Sequence, residues 1–279
     1  MIEIELDVFS GRPNPRWQLS ASERNSFLQR TLEGAVPMAP ASVSEGKLGY
    51  RGFLVRATGD SAKVLKGRRL PTFFRVRDGL AASVDLDAEA WLLDSADPQM
   101  DERVSQAAAE TIRTPAERGD WAAARAGAAC TYWVTSSTNF DFWNADPYHR
   151  INNNCYNYAA NWRTNTFAQP GRGTGQQYGS VSVPQIRDAA LRDGWVTYCD
   201  GGNLYVAFAT WSNIDYHWWR RTESVGGVGR WCHKPGQTAA RNYDQSGYAI
   251  TDPYTANRGD YTTWGGYMYG PGPSRQTVW

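Results

Sequence analysis

Thirteen tryptophans and fifteen tyrosines, most of them after residue 130, constrain the fold of this chain more than any other feature. Side chains so wide and rigid suit sheet surfaces and ligand grooves, where an apolar body packs and a polar tip finds a partner. Packing in a core and on sheet faces is the reading that asks least of them. The chain has 279 residues, enough for one large domain or two of ordinary size. Hydrophobic residues make up 41% and charged residues 20%, the balance of a folded globular chain. A net charge of +1 argues against a nucleic-acid partner, because phosphate contacts draw on a basic surplus. No apolar run approaches the roughly 18–20 residues that span a bilayer, so no membrane partner is expected. The opening MIEIELDVFSGRPNP lacks a basic stretch followed by an apolar one, so no signal peptide is read there. The expected location is cytoplasmic by default, or reached by an export route the sequence does not display.

Residues 2–9 alternate as a strand does, and GRPNP ends it. Ser20 with Glu23 three residues later has the form of a capping box opening a helix that ends at Gly34. The Pro/Ala/Ser-rich stretch 36–46 reads as a loop. Tyr50–Ala57 and Thr72–Arg77 read as strands, Asp85–Leu93 fits either strand or helix, and Asp101–Arg113 has helical propensity. An Ala/Arg-rich stretch follows, and a boundary near residue 118 separates an N-terminal α+β region (1–118) of unknown role from a second domain (119–279).

In the second domain Tyr132–Ser136 is strand-like. The run NNNCYNYAANW begins a helix with an Asn cap, its Cys155, Tyr158/Ala159 and Trp162 at helical spacing. Ser182 and Pro184 open another helix that ends at Gly194. Leu204–Thr210, Asp215–Thr222 and Gly229–Cys232 then read as a meander of strands, and the tail reads as polar turns.

Chemistry concentrates in that domain. A cysteine in the first turn of a helix meets unsatisfied N–H groups that favour its thiolate, the nucleophilic form. Of Cys130, Cys155, Cys199 and Cys232, only Cys155 has that context. No CxxC pair suggests zinc or redox chemistry; whether Cys130, Cys199 and Cys232 form disulfides stays open. Of three histidines, His217 falls in a strand after the helices, where it serves as the base facing Cys155. His233, on the next strand, is placed to fix the tautomer of His217. Asp215 is a weaker candidate for that orienting role. Asn153 and Tyr148 are candidates for holding an oxyanion. Trp218, Tyr156 and Trp231 are candidates for lining a substrate groove.

The order of a helix-borne cysteine, a second helix, a strand, a histidine-bearing strand and a further polar residue on the next strand resembles the NlpC/P60 and CHAP cysteine hydrolases of the papain-like superfamily. It is carried by Asn154-Cys155-Tyr156-Asn157-Tyr158-Ala159, Asp215-Tyr216-His217-Trp218 and Trp231-Cys232-His233, over residues 130–270. The resemblance implies a papain-like α+β domain, a Cys155–His217–His233 triad, and a peptide, amide or ester substrate cleaved through a thioester without a cofactor. Tyr156 departs from the small residue those families often carry after the nucleophile, and His217-Trp218-Trp219 also resembles the histidine strand of transglutaminase-like enzymes. Acyl transfer to an amine by the same residues is therefore a second expectation.

Other classes read less well. Gly171-Arg172-Gly173-Thr174-Gly175 follows no strand and lacks the GK[ST] of a phosphate loop. The histidines with Asp146 or Asp215 have no metal-ligand spacing, so no metal is expected. The non-enzymatic rival is an aromatic-rich module that binds a carbohydrate or a partner protein, with Cys155 simply packed.

Overall fold

The computed structural model describes residues 1–41, 48–76, 86–98, 100–113, 137–198, 204–223, 231–270 and 277–279. The chain divides into two compact units. One comprises Met1–Val8, Asn14–Glu45 and Tyr50–Glu117; the other comprises Phe9–Pro13, Gly46–Gly49 and Arg118–Trp279. Residues 9–13, read from the sequence as part of the N-terminal region, thus belong with the second unit.

The first unit is built on a five-stranded antiparallel sheet in the order β2-β1-β4-β5-β3. Its strands are β1 (Ile2–Leu6), β2 (Arg16–Gln18), β3 (Met38–Pro40), β4 (Phe53–Ala57) and β5 (Phe73–Val76). Helix α1 (Ala21–Leu32) starts at the Ser20–Glu23 capping box read from the sequence, and its Phe27 stacks over Phe74 at 6.4 Å. Helices α2 (Gly59–Gly67), α3 (Leu86–Asp94) and α4 (Glu102–Arg113) follow. Two elements differ from expectation. Residues 38–40, expected in a loop, pair as β3 with β5, and α2 fills a stretch too short and mixed to show helical periodicity.

The second unit carries helices α5 (Phe140–Asn144), α6 (Pro147–Ile151), α7 (Cys155–Ala159) and α8 (Val183–Arg192). Its antiparallel sheet runs β8-β7-β6-β9, from β6 (Leu204–Trp211), β7 (Asp215–Arg221), β8 (Trp231–His233) and β9 (Thr263–Gly270). The tail, expected as polar turns, contains β9, which pairs with β6, its alternation interrupted by glycines and a register shift at Phe208/Ala209. Gly265 is required at that point, since a Cβ would come within 2.3 Å of the Phe208 ring. The expected strand at 132–136 and residues Cys130 and Cys199 lie outside the described residues.

Strand β6 is buried along nearly its whole length, as a strand covered on both faces must be. One face packs Val206, Phe208, Tyr216 and Trp218 against Cys155, Tyr156 and Ala159 of α7 and Ile186 and Ala190 of α8. The other packs Tyr205, Ala207, Ala209, Trp219 and Trp231 against Ile250 and Tyr261. The chain is an α+β protein, and no helix among the described residues is long and apolar enough to cross a membrane.

Candidate functional site

Helix α7 is set by Asn154. Its side-chain oxygen accepts the N–H groups of Tyr156 and Asn157, while the Asn157 side chain accepts the Asn154 N–H. The Asn154 amide nitrogen donates to Gly11 O at 2.8 Å and Ala168 O at 2.7 Å. Every arm of this cap is therefore occupied. The helix stops at Ala159, short of the Trp162 expected in it, as Asn161 turns into the left-handed region at φ 51°.

Cys155 begins α7 as expected, but its electrostatics are corrected by the structure. The thiol is fully buried, and burial, followed by the charge of Asp215, pushes its pKa well above the ordinary value. The Trp218 and Tyr156 N–H groups and Lys234 act in the opposite sense without prevailing. A five-residue helix has a small dipole, and Asn154 already occupies two of its first-turn donors. The resting sulfur is thus a thiol, and it donates weakly to Tyr216 O at 3.9 Å.

His217 leaves β7 on the other side. Side chains alternate along a strand, so Tyr216 and Trp218 join the cluster containing Cys155, whereas His217 lies edge-on to Trp219 at 4.5 Å. The expected face-to-face presentation is corrected in that sense: the sulfur meets the backbone on either side of His217, at Tyr216 O and Trp218 N–H, and the ring projects from the opposite face.

The two histidines are brought together. His217 Nε2 lies 2.7 Å from His233 Nδ1, and His233 Nε2 lies 2.7 Å from Tyr243 O. A carbonyl only accepts, so His233 carries its hydrogen on Nε2. Burial, reinforced by Arg241, lowers the His233 pKa to about 3 against the pull of Tyr243 O, which keeps the ring neutral. Its Nδ1 is then an acceptor and His217 Nε2 the donor, and in neutral His217 the basic lone pair sits on Nδ1. Trp219 stacks over His233 at 6.2 Å.

The remaining expected residues have other duties. Asp215 is buried and accepts the N–H groups of Ser10, Gly11 and Arg12 and the Tyr261 hydroxyl. The three backbone donors latch residues 10–12 to β7 in place of the orienting role expected. Asn153 donates to His149 O and Asn165 Oδ1 and accepts Asn165 N–H, which commits it to a loop and not to an oxyanion. Tyr148 is 58% exposed on α6. Tyr156, Trp218 and Trp231 are core residues and line no groove: Tyr156 donates to Asp193 at 2.7 Å, Trp218 stacks on Phe208 at 4.7 Å, and Trp231 packs on Tyr205 at 5.0 Å. Cys155 and Cys232 are free thiols. Among the described residues, no group of three His, Cys, Asp or Glu is arranged to hold a metal ion.

Two participants were missed in the sequence. Tyr243 contributes only its carbonyl, which no residue pattern reveals. Lys234 follows His233 in HKPG and is fully buried, a fate that a lysine beside a turn-forming Pro-Gly gives little sign of.

These features define a class: an α+β protein in which a capped cysteine helix packs on an antiparallel sheet that carries a two-histidine relay. No family model and no solved structure matches the chain. A 142-residue stretch, 49% of the chain, is 45% identical to the insoluble matrix shell protein 1 of Ruditapes philippinarum and spans 92% of that protein. The chain belongs to the family of this shell matrix protein.

Proposed function

We propose that the second unit is a papain-like thiol acyl-transfer centre, acting on an amide or ester bond, with Cys155 as nucleophile, His217 as base and His233 as the residue that orients the base. One observation carries this reading. The sulfur abuts the peptide groups flanking His217, and behind that residue the His217–His233–Tyr243 relay fixes the imidazole with its lone pair on Nδ1. Two buried histidines joined by a hydrogen bond are costly to bury without a use.

The chemistry starts from a neutral thiol. Because the His217 ring and the sulfur lie on opposite faces of β7, the proposal requires that strand to rearrange as the thiol is uncovered. His217 Nδ1 then takes the thiol proton as the sulfur bonds to the carbonyl carbon, and the same proton passes to the departing amine or alcohol as its bond to that carbon breaks. Water then cleaves the thioester, or an amine takes its place. His233 keeps accepting from His217 Nε2 throughout. Because the thiol has no exposure, its cover must move for a substrate to reach it, and opening is part of the cycle.

A second reading is favoured by that same burial and by the relative's name: a packed aromatic scaffold that serves in a matrix, with Cys155 inert. The test is turnover of amide and ester libraries, with and without an added amine, by wild type, Cys155→Ala and His217→Ala. Loss of turnover to background in both variants, each folded, supports the enzyme. Turnover that survives Cys155→Ala, or wild-type protein that neither turns over nor labels at Cys155 with an electrophile, leaves the scaffold.

A further inference from the structure

Residues 10–12 belong with the second unit, which holds them by their main chain. Asp215 Oδ2 accepts the Ser10 N–H at 2.6 Å and Oδ1 the Arg12 N–H at 2.9 Å, while the Gly11 N–H lies between the two oxygens, 3.2 Å from each. The Gly11 carbonyl accepts from Asn154 Nδ2 and Gln169 Nε2, each at 2.8 Å, and from the Tyr216 hydroxyl at 3.1 Å. All four residues that supply these partners are buried. Successive N–H groups that converge on one carboxylate form the concavity with which a backbone binds an anion; here the sheet supplies the anion and the backbone is the guest. Side chains are read at two positions. A Cβ on residue 11 would come within 2.4 Å of the Tyr216 ring, so glycine alone fits, and Arg12 Nη1 donates to Ile214 O at 2.5 Å. Ser10 is not read in this way, since its buried hydroxyl meets no hydrogen-bonding atom.

We propose that Asp215, Asn154, Gln169 and Tyr216 form a binding site for a peptide carrying Gly-Arg, filled in this structure by the chain's own residues 10–12 and able to take the same motif in trans once that segment leaves. Main-chain hydrogen bonds that give affinity, with side-chain selection at chosen positions, are the working pattern of a peptide receptor. The glycine is selected by the Tyr216 ring, the arginine by the Ile214 carbonyl, and the backbone between them by one carboxylate and three side-chain donors. The site adjoins Cys155, since Asn154 precedes it in the chain and Tyr216 O receives its thiol at 3.9 Å. Binding there requires no turnover and goes beyond the acyl-transfer reading.

The test is the fluorescence anisotropy of a labelled peptide, FSGRPNP, titrated with the full chain. Gly11→Ala drives the chain's own segment from the site through its clash with the Tyr216 ring. That variant is expected to bind the peptide at least tenfold more tightly than wild type, in which the tethered segment competes at high effective concentration. The peptides FSARPNP and FSGAPNP, which lose the glycine and the arginine, are expected to bind Gly11→Ala at least tenfold more weakly than FSGRPNP. No binding, or binding indifferent to either replacement, overturns the proposal. Should Gly11→Ala fail to fold, Arg12→Ala is the second variant, because it gives up only the contact of a half-buried guanidinium. It is expected to bind FSGRPNP more tightly than wild type does and to prefer it to FSARPNP; affinity equal to wild type, or no preference between the two peptides, overturns the proposal. Neither readout involves turnover or the Cys155 thiol, so an absent activity removes the acyl-transfer reading and leaves the peptide site to be judged by itself.

Discussion

One buried set of ionisable side chains in each unit shows charge handled in opposite ways. In the first, Asp7 is fully buried and bridges Arg51 at 2.7 Å and Arg75 at 2.8 Å. Burial works to raise the Asp7 pKa, but the two guanidinium groups and their hydrogen bonds override it and hold the carboxyl far below its usual range. In the second, the buried pair is two histidines. Burial drives His233 to about 3, so its ring is neutral and accepts the hydrogen bond from His217 at Nδ1. The first arrangement keeps its charges and matches them; the second discards its charge and keeps a directed hydrogen bond. Matched charge makes a rigid joint, whereas the neutral His233 ring accepts one directed hydrogen bond from His217.

Asp7→Asn breaks the first arrangement most severely. Two buried guanidinium groups lose their counter-ion, and a cost of about 3–5 kcal/mol is expected, read by denaturant unfolding followed through exchange of β1 and β4 amides. A loss below 1 kcal/mol would show that the charges are not the joint described.

Acid should separate the two units. His233 binds a proton near pH 6.5 when unfolded and near 3 when folded, so its contribution is complete above 6.5 and lost as the pH falls toward 3. The full window is worth on the order of 5 kcal/mol. Asp193 runs the other way: burial raises its pKa to about 6, so its protonation stabilises the fold as the pH drops through 6 toward 4, and it offsets part of that loss. Asp7, whose folded pKa is depressed, keeps its contribution above about pH 4 and loses it only below. Hydrogen exchange between pH 7 and 4 is therefore expected to show β7 and β8 weakening while β1 and β4 hold. Simultaneous weakening would undo the contrast.

The helix caps sharpen the comparison at a smaller scale. Asn154→Ala removes a cap whose amide also serves two buried carbonyls, and about 2–4 kcal/mol is expected. Ser20→Ala removes a capping box at the surface, and about 1 kcal/mol is expected. Thermal denaturation of both variants measures the difference. The smallest effect belongs to Tyr243→Ala. Its ring is 51% exposed and only its carbonyl meets His233, so stability should move by no more than about 0.5 kcal/mol. The imidazole 15N shifts of His233 should stay put; a change in tautomer would show that the ring, and not the backbone, holds the relay.

Much of this was legible in local pattern. Ser20 and Asn154 announced their helices because a cap is a relation among residues three apart. Ile2–Leu6, Phe53–Ala57, Leu204–Trp211 and Asp215–Arg221 showed themselves by bulky apolar content between turn residues. His217 and His233 could be placed on neighbouring strands, and they do meet. The groove was misread: Tyr156, Trp218 and Trp231 carry the same residue types whether they line a cleft or fill a core, and burial alone distinguishes the two. The thiolate was misread for a related reason, since its stability depends on solvent and on Asp215, sixty residues away in the chain.

The sequence by itself determined the α+β class, the capped start of α7 and the strands that bring His217 and His233 together, because each rests on interactions between residues a few places apart. Tertiary structure alone decided the protonation of Cys155, the face of β7 from which His217 projects relative to the sulfur, the latch from Asp215 to residues 10–12, and the burial of Lys234. Those depend on which surfaces lose water together, and distant segments settle that only by packing.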